Sequence, residues 1–270
     1  LGTQVTILAR SQIARGEEPE IAEALRDALV AEGISIEEST TPESVRRDGG
    51  QVVVRAAGRD HRAEQLLVAA GRTPRTTGLG LEAVGVTLGE RGKVLVESDL
   101  GTANPRVWAA GDVTGHPQFV YVAGRHGAMV VDNAFEGAGR HVDYRSLPRI
   151  TFTNPTIASA GLTEAEAQAH GIESDSRVFD MANVPRGIVS RNPIGLAKLV
   201  AERETGRVLG VHLLADGAGD AILAAVYALE AGMTVEQMAD SWNPYLTVGE
   251  AIHLVAQSFT RDPSKLSCCA

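Results

Sequence analysis

Val107-Trp108-Ala109-Ala110-Gly111-Asp112 decides how the rest of this 270-residue chain is read. It is an apolar run ending abruptly in glycine and aspartate, the pattern of a strand that delivers a carboxylate at a tight turn. Gly-Asp alone marks many turns, and the residues that follow give this one meaning. Gln118-Phe119-Val120-Tyr121 leads into a helix of small residues from Ala123 to Phe135. The amino end of such a helix carries partial positive charge and suits an electron-rich group. Upstream, Ala69-Ala70-Gly71-Arg72-Thr73-Pro74 again reads as a strand end running into a glycine turn. Between them, Gly78-Leu79-Gly80-Leu81-Glu82-Ala83 has G-x-G-x-x-A spacing but follows Thr73-Pro74-Arg75-Thr76-Thr77 instead of a buried strand. Without strand before and helix after, the spacing has no phosphate-cradling mechanism, and the segment reads as a loop.

Working outward towards the amino end, Val5-Thr6-Ile7-Leu8 is a short strand, followed by a helix from about Pro19 to Glu32 that stops at Gly33. Ile21, Leu25, Ala28 and Leu29 mark its buried face. Ile34 to Glu37, Gln51 to Ala56 and Leu66 to Ala69 read as further strands. The order is β-α-β, then a hairpin, then one more strand: a dinucleotide domain, residues 1–72, without its first strand and its G-x-G-x-x-G turn. In such domains the residue past the second strand meets the adenosine ribose, where an acid favours NAD and arginine or serine accommodates the 2′-phosphate of NADP. Arg10 and Ser11 stand there with Arg15 nearby, so NADP(H) is the expected nucleotide.

Towards the carboxyl end, residues 149–270 read as an α+β unit without a cofactor motif. Ile150 to Phe152, Val178 to Asp180, Leu196 to Ala201 and Val208 to Leu214 are strands, and helices follow at about 219–231, 235–241 and 247–259. Thr163 with Glu166, Thr234 with Gln237 and Thr247 with Glu250 have the spacing of capping boxes. The only two cysteines are vicinal, in Leu266-Ser267-Cys268-Cys269-Ala270. Adjacent α-carbons lie about 3.8 Å apart, below the roughly 4.4 Å minimum of an unstrained disulfide. Two neighbouring thiolates are instead suited to a soft metal ion.

Composition sets the bounds. With 34 acidic and 25 basic residues the net charge is −9, and no basic run offers a nucleic acid a footprint. No apolar stretch approaches the ~20 residues of a membrane span. Unbridged cysteines fit a reducing cytoplasm. The first residue is not methionine and a strand begins at once, so the chain is expected to start inside a domain.

Gly71-Arg72-Thr73-Pro74, then Asn104-Pro105, then Ala109-Ala110-Gly111-Asp112, in this order and spacing, resemble the flavoprotein disulfide reductase family. That resemblance implies an α/β fold of incomplete FAD- and NAD(P)-binding Rossmann-like segments followed by a dimerisation domain. Residues 73–148 would be the returning segment of the FAD domain, and 149–270 the homodimer interface. Asp112, after Gly111, would bind the FAD ribityl hydroxyls, Val120 would line the flavin through its backbone, and Gly71 would lie where the nicotinamide domain hands the chain back. Gly124-Arg125-His126 departs from the pattern by placing bulky charged residues in the small-residue helix.

Members diverge at Trp242-Asn243-Pro244-Tyr245-Leu246-Thr247-Val248-Gly249-Glu250. Thiol-disulfide reductases place histidine before that proline and glutamate soon after, a dyad that manages protons at sulfur. Here Asn243 takes the histidine's place and Glu250 comes about two residues late. With the Cys268-Cys269 tail, this loop is similar to the Hg(II)-reducing branch of the family. The resemblance implies that Cys268 and Cys269 capture Hg(II) and pass it to a redox cysteine pair of the partner subunit, with Tyr245 assisting, while NADPH supplies electrons through FAD. Neither the strand-borne glycine motif nor the C-x-x-x-x-C redox pair occurs in these residues. The chain is therefore expected to be the carboxyl-terminal part of a longer enzyme, inactive alone. Two other readings stay open: another flavin-dependent disulfide reductase with an incidental tail, and a non-catalytic dimer that binds thiophilic metals.

Overall fold

In the computed structural model, residues 2–261 are described, and they form two compact units. One joins residues 1–66 to 145–270, and the other comprises 67–144. In chain order, β1 (Thr6–Leu8), α1 (Pro19–Ala31) and β2 (Ser35–Glu37) make a β-α-β turn in which the two strands pair in parallel. β3 (Pro42–Asp48), β4 (Gln51–Ala56) and β5 (Arg59–Ala63) follow as an antiparallel meander. Its middle strand buries Val52, Val53 and Val54, whereas β3 and most of β5 are exposed and charged.

Unit 67–144 contains a single α-helix, α2 (Val120–Glu136), among loops and short 3-10 turns. Val86, Val94 and Ala109 form its small core. Two expected strands are absent. Residues 66–69 form no strand and pair with no other strand among the described residues, and Leu67 and Val68 are exposed. Residues 107–110 make only an isolated bridge, Gly101 to Trp108. Both runs are apolar enough for strands, but a strand needs a neighbouring edge for its N–H and C=O groups; among the described residues the first run meets none and the second only the short Leu100–Thr102 stretch. The Gly78-Leu79-Gly80 segment is a turn, as expected, with Gly78 and Gly80 at positive φ.

The rest of the first unit is built on a five-stranded antiparallel sheet of β6 (Pro148–Thr151), β7 (Thr156–Gly161), β8 (Ser174–Asp180), β9 (Leu196–Glu202) and β10 (Val208–Ala215), in the order β6-β7-β10-β9-β8. α3 (Glu164–Ala169) and α4 (Pro185–Val189) lie in its connections, and α5 (Ala218–Ala231), α6 (Val235–Asp240) and α7 (Glu250–Gln257) follow. Thr163/Glu166 and Thr234/Gln237 close complete capping boxes. The third expected box does not form. α7 begins at Glu250 with Gly249 as its N-cap, and Thr247 Oγ1 donates instead to the Pro244 carbonyl at 2.9 Å.

Strand alternation sorts the sheet into two faces. Ala197, Leu199, Val211 and Leu213 join a large core with Ile222, Ala225, Ala251 and Val255 of α5 and α7. On the other face Ile157, Leu196 and Leu214 meet Ile21 and Leu25 of α1. That second face also carries a polar row in direct register: Arg149, Ser159, His212 and Lys198. Lys198 is 1 % exposed, and its Nζ donates to Glu18, Glu20 and Glu164 at 2.6–2.9 Å. Burial by itself pushes this ammonium's pKa down, but its hydrogen bonds to Glu164, Glu20 and Glu18 outweigh it and hold the group above the ordinary lysine range. Glu18 also accepts the Glu164 N–H at 2.7 Å, and Ser159 donates to Glu17 at 2.8 Å.

Two outcomes follow for stability. Lys198→Met leaves Glu18, 2 % exposed, as an unpaired buried charge and is expected to destabilise the fold by about 3–5 kcal/mol in urea denaturation. Recovery of part of that loss in the Lys198→Met/Glu18→Gln double variant would identify the stranded carboxylate as the cause. His212 is fully buried, donates to Leu162 O at 3.1 Å, and is held by burial down to a pKa of about 4. Because the unfolded imidazole titrates near 6.5, the unfolded state binds more protons between pH 6.5 and 4. Stability is complete above that window and falls as pH drops through it, by on the order of 3 kcal/mol at 1.36 kcal/mol per pH unit. His212→Gln keeps a donor for Leu162 and is expected to flatten the pH dependence of the thermal midpoint in this window.

Candidate functional site

Unit 67–144 brings several of the expected site residues together. Gly111 opens a 3-10 turn, Gly111–Thr114, at φ +74°. A β-carbon there would stand 2.9 Å from the Ala123 Cβ on α2, so glycine is required both by conformation and by the close approach of the helix. Asp112 follows with its side chain 44 % exposed, paired to Arg72 Nη1 at 3.1 Å. Arg72 Nη2 also donates to the Gln118 carbonyl at 3.1 Å. This guanidinium thus ties the residue after Gly71 to the Gly-Asp turn and to the approach of α2. Val120 is 90 % exposed in the first turn of α2, whose N-cap, Phe119, supplies no side-chain cap. Phe119 and Tyr121 stack at 5.2 Å, with their rings 8° from parallel.

The arrangement fits a flavin dinucleotide on observations of this unit alone. It offers an open carboxylate for ribityl hydroxyls, a glycine turn with no room for a side chain, and an uncapped helix amino end for an electron-rich group.

His126 was read as a bulky charged intrusion into α2, and the structure corrects this. Arg125 points outwards, whereas His126 is 1 % exposed and lies on the inner face with Val122 and Met129. Its Nδ1 accepts the Gly111 N–H at 3.1 Å, and its Nε2 lies 2.7 Å from Tyr144 Oη, which lies 2.7 Å from His116 Nδ1. Burial and the neighbouring His116 lower the pKa of His126. Burial and then Lys93 lower that of His116, and burial raises that of Tyr144. The spacing of Val122, His126 and Met129 is the local signal that places His126 on the inner face, whereas nothing local points to Tyr144 or His116 as its partners.

The remaining residues lie elsewhere. Tyr245, 55 % exposed, sits in the loop before α7, where Leu246 adopts φ +59°. Asn243 is beside it. Glu250 is 4 % exposed, and burial raises its pKa although it accepts the Leu246 N–H. Its carboxyl is turned into the fold, and Oε2 has no hydrogen-bond partner among the described residues. Arg10 and Ser11 follow β1; Arg10 is exposed and free of ion pairs among the described residues, and Ser11 Oγ reaches only the Gln12 carbonyl at 3.4 Å. Cys268 and Cys269 lie outside the described residues. Among those described, no helix is long and apolar enough to cross a membrane.

Comparison with known proteins identifies the family and the fold. The family model for pyridine nucleotide-disulphide oxidoreductases matches residues 1–127, and the model for the dimerisation domain of the same enzymes matches residues 147–256. A mercuric reductase of Streptomyces lividans is 53 % identical over the whole chain, which spans 58 % of that protein. One from Staphylococcus aureus is 42 % identical, and the chain spans 50 % of it. The chain thus spans about half the length of the curated relatives it matches. Among solved structures, the Cu(II) complex of an HOCl-induced flavoprotein disulfide reductase from Escherichia coli superposes with a TM-score of 0.88 at 27 % identity, covering 96 % of this chain and 59 % of that one.

Gly111→Ala is expected to cost about 1–3 kcal/mol in denaturant unfolding, because φ +74° and the 2.9 Å contact both oppose a β-carbon.

Proposed function

Because the chain belongs to the pyridine nucleotide-disulphide oxidoreductase family, whose models match most of its length, we propose that the protein carrying it reduces Hg(II) to Hg(0) with NADPH as electron donor and FAD as cofactor. The observation that carries the reading is the 243–250 loop. Asn243 offers no imidazole, and the Glu250 carboxyl is buried beneath the loop, away from any substrate at its surface. A disulfide substrate needs a proton-managing pair beside its sulfurs, and this loop has none to give. A metal ion held by thiolates needs electrons and competing ligands at the reacting centre, not a proton. The names of the relatives support the same substrate.

The overall reaction balances as Hg(SR)2 + NADPH giving Hg(0) + NADP⁺ + 2 RS⁻ + H⁺, with no proton consumed at the reacting centre. FAD, when bound, relays the two electrons of the hydride. In this reading Asp112 holds the ribityl hydroxyls, Gly111 admits the cofactor's close approach, and the amides at Val120 face the ring. Gly71 and Arg72 return the chain to that platform, and Arg10 with Ser11 receives the 2′-phosphate of NADPH. Cys268 and Cys269 take Hg(II) from soluble thiols by ligand exchange, because a thiolate pair releases a soft ion readily only to another thiolate pair. Tyr245, half exposed in the loop, assists the ion's handover as a hydroxyl ligand or donor. Residues 149–270 pair two subunits, a role supported by the dimerisation-domain match. The cytoplasm supplies both thiol-bound Hg(II) and NADPH.

The test is NADPH oxidation by the native polypeptide carrying this sequence, with Hg(II) in excess thiol and oxidised glutathione as the parallel substrate. Oxidation that requires mercury and ignores the disulfide is expected; oxidation with the disulfide alone overturns the reading. Tyr245→Phe is expected to lower kcat on Hg(II) by about ten- to a hundredfold, within the range for loss of one placed polar group. Changing Cys268 and Cys269 to alanine is expected to abolish turnover at high thiol while leaving flavin reduction by NADPH intact.

A further inference from the structure

We propose that His126 is a positioning residue for the flavin site, acting through the Gly111 N–H, with Tyr144 and His116 fixing its tautomer. The inference rests on the flavin reading of Asp112 given above, and it concerns a residue to which neither the motif nor the family match assigns a role.

The direction of each hydrogen bond follows from the first. A backbone N–H can only donate, so Nδ1 of His126 must present its lone pair to Gly111. The neutral ring then carries its proton on Nε2, which donates to Tyr144 Oη. Tyr144, accepting there, turns its own hydrogen to Nδ1 of His116. The chain of donors runs one way from the turn to His116, and each member specifies the next. A proton on Nδ1 of His126 would face the Gly111 N–H with a second donor and break the link.

The other backbone group of Gly111 is held as well. Thr114, 4 % exposed, donates from Oγ1 to the Gly111 carbonyl at 2.8 Å. Both polar atoms of this one residue are therefore anchored by buried side chains, and its φ of +74° is set from both sides. Asp112 is the next residue, so the direction in which its carboxylate leaves the backbone is inherited from that anchoring. Arg72 reaches Asp112 from the exposed side and cannot orient the backbone. His126 differs from a residue that merely fills volume in one respect: it supplies an acceptor at a particular point.

The experiment is the FAD dissociation constant of the native polypeptide, measured by flavin fluorescence quenching on the apoprotein, for wild type, His126→Leu and His126→Asn. Leucine keeps much of the volume and removes the acceptor, and FAD affinity is expected to fall at least tenfold. Asparagine can place Oδ1 where Nδ1 stood, and it is expected to return affinity to within about threefold of wild type. An affinity within twofold of wild type for His126→Leu overturns the proposal. So does His126→Asn binding as weakly as leucine, since only volume would then matter. Should His126→Leu fail to fold, Tyr144→Phe asks the same question from the other end: loss of Oη removes the partner that selects the Nε2–H tautomer. Weakening of about threefold supports the proposal, and unchanged affinity overturns it. A wild-type protein without affinity for FAD would instead remove the flavin reading itself, an outcome distinguishable from failure of His126 alone.

Discussion

A fully buried ammonium sets the conditions for the larger unit. Lys198 sits on the α1-facing side of β9, and no charge can remain there without compensation. Compensation comes from Glu18 and Glu20 at the start of α1 and from Glu164 at the start of α3. Glu18 occupies the N-cap position of α1 but does not cap its own helix. Its two oxygens go to Lys198 and to the Glu164 N–H. The amino-terminal β-α-β turn is thereby fixed to the carboxyl-terminal sheet at one end by charge, and along its length by Ile21 and Leu25 against Ile157, Leu196 and Leu214. The apolar stripe supplies attraction that tolerates sliding, and the ammonium accepts only one placement. In this arrangement the buried ions confer register more than net stability.

Unit 67–144 is ordered by a different means. With one helix and a few bridges, its loops are held by local backbone hydrogen bonds and by side chains that reach backbone groups. Thr76 donates to Gly92 O, Thr102 to Val107 O, Asn104 to Val84 O, and Asn133 to both Asp99 O and Arg140 O. Such a unit places functional groups on loops, and the precision of each depends on the hydrogen bonds at its base. The double anchoring of Gly111 is the strongest case. It carries the carboxylate that an α/β cofactor site needs, on a turn no ladder supports.

What the sequence made legible was local. Hydrophobic period and caps located α1, β4, α2 and α5 and the starts of α3 and α6, because those signals lie within a few residues of one another. The fold class was legible too, through motif order along the chain, and the family match agrees with it. Strand character misled where a strand ladder was lacking, at 66–69 and 107–110. It also failed in the other direction: β3 and β5 are charged and exposed, with no apolar alternation to reveal them, and exist because they flank Val52–Val54. Thr247 and Glu250 show that spacing alone does not make a cap, since here the glutamate turns inwards. Lys198 and Glu18 are 180 residues apart. No local pattern encodes that meeting, nor that of His126 with Tyr144.

The two buried polar systems solve the same problem with opposite protonation. Around Lys198, carboxylates on separate elements keep the group charged despite its burial. At His126, a backbone donor occupies the nitrogen a proton would need, and burial beside His116 keeps the ring neutral. Arg72 is the cationic partner of Asp112 among the described residues, and Arg72 is exposed. An exposed pair contributes little and exchanges readily with water or ligand. The carboxylate thus leaves a backbone anchored on both sides of Gly111 and meets an exposed partner, an arrangement compatible with the polyol-binding role proposed for Asp112.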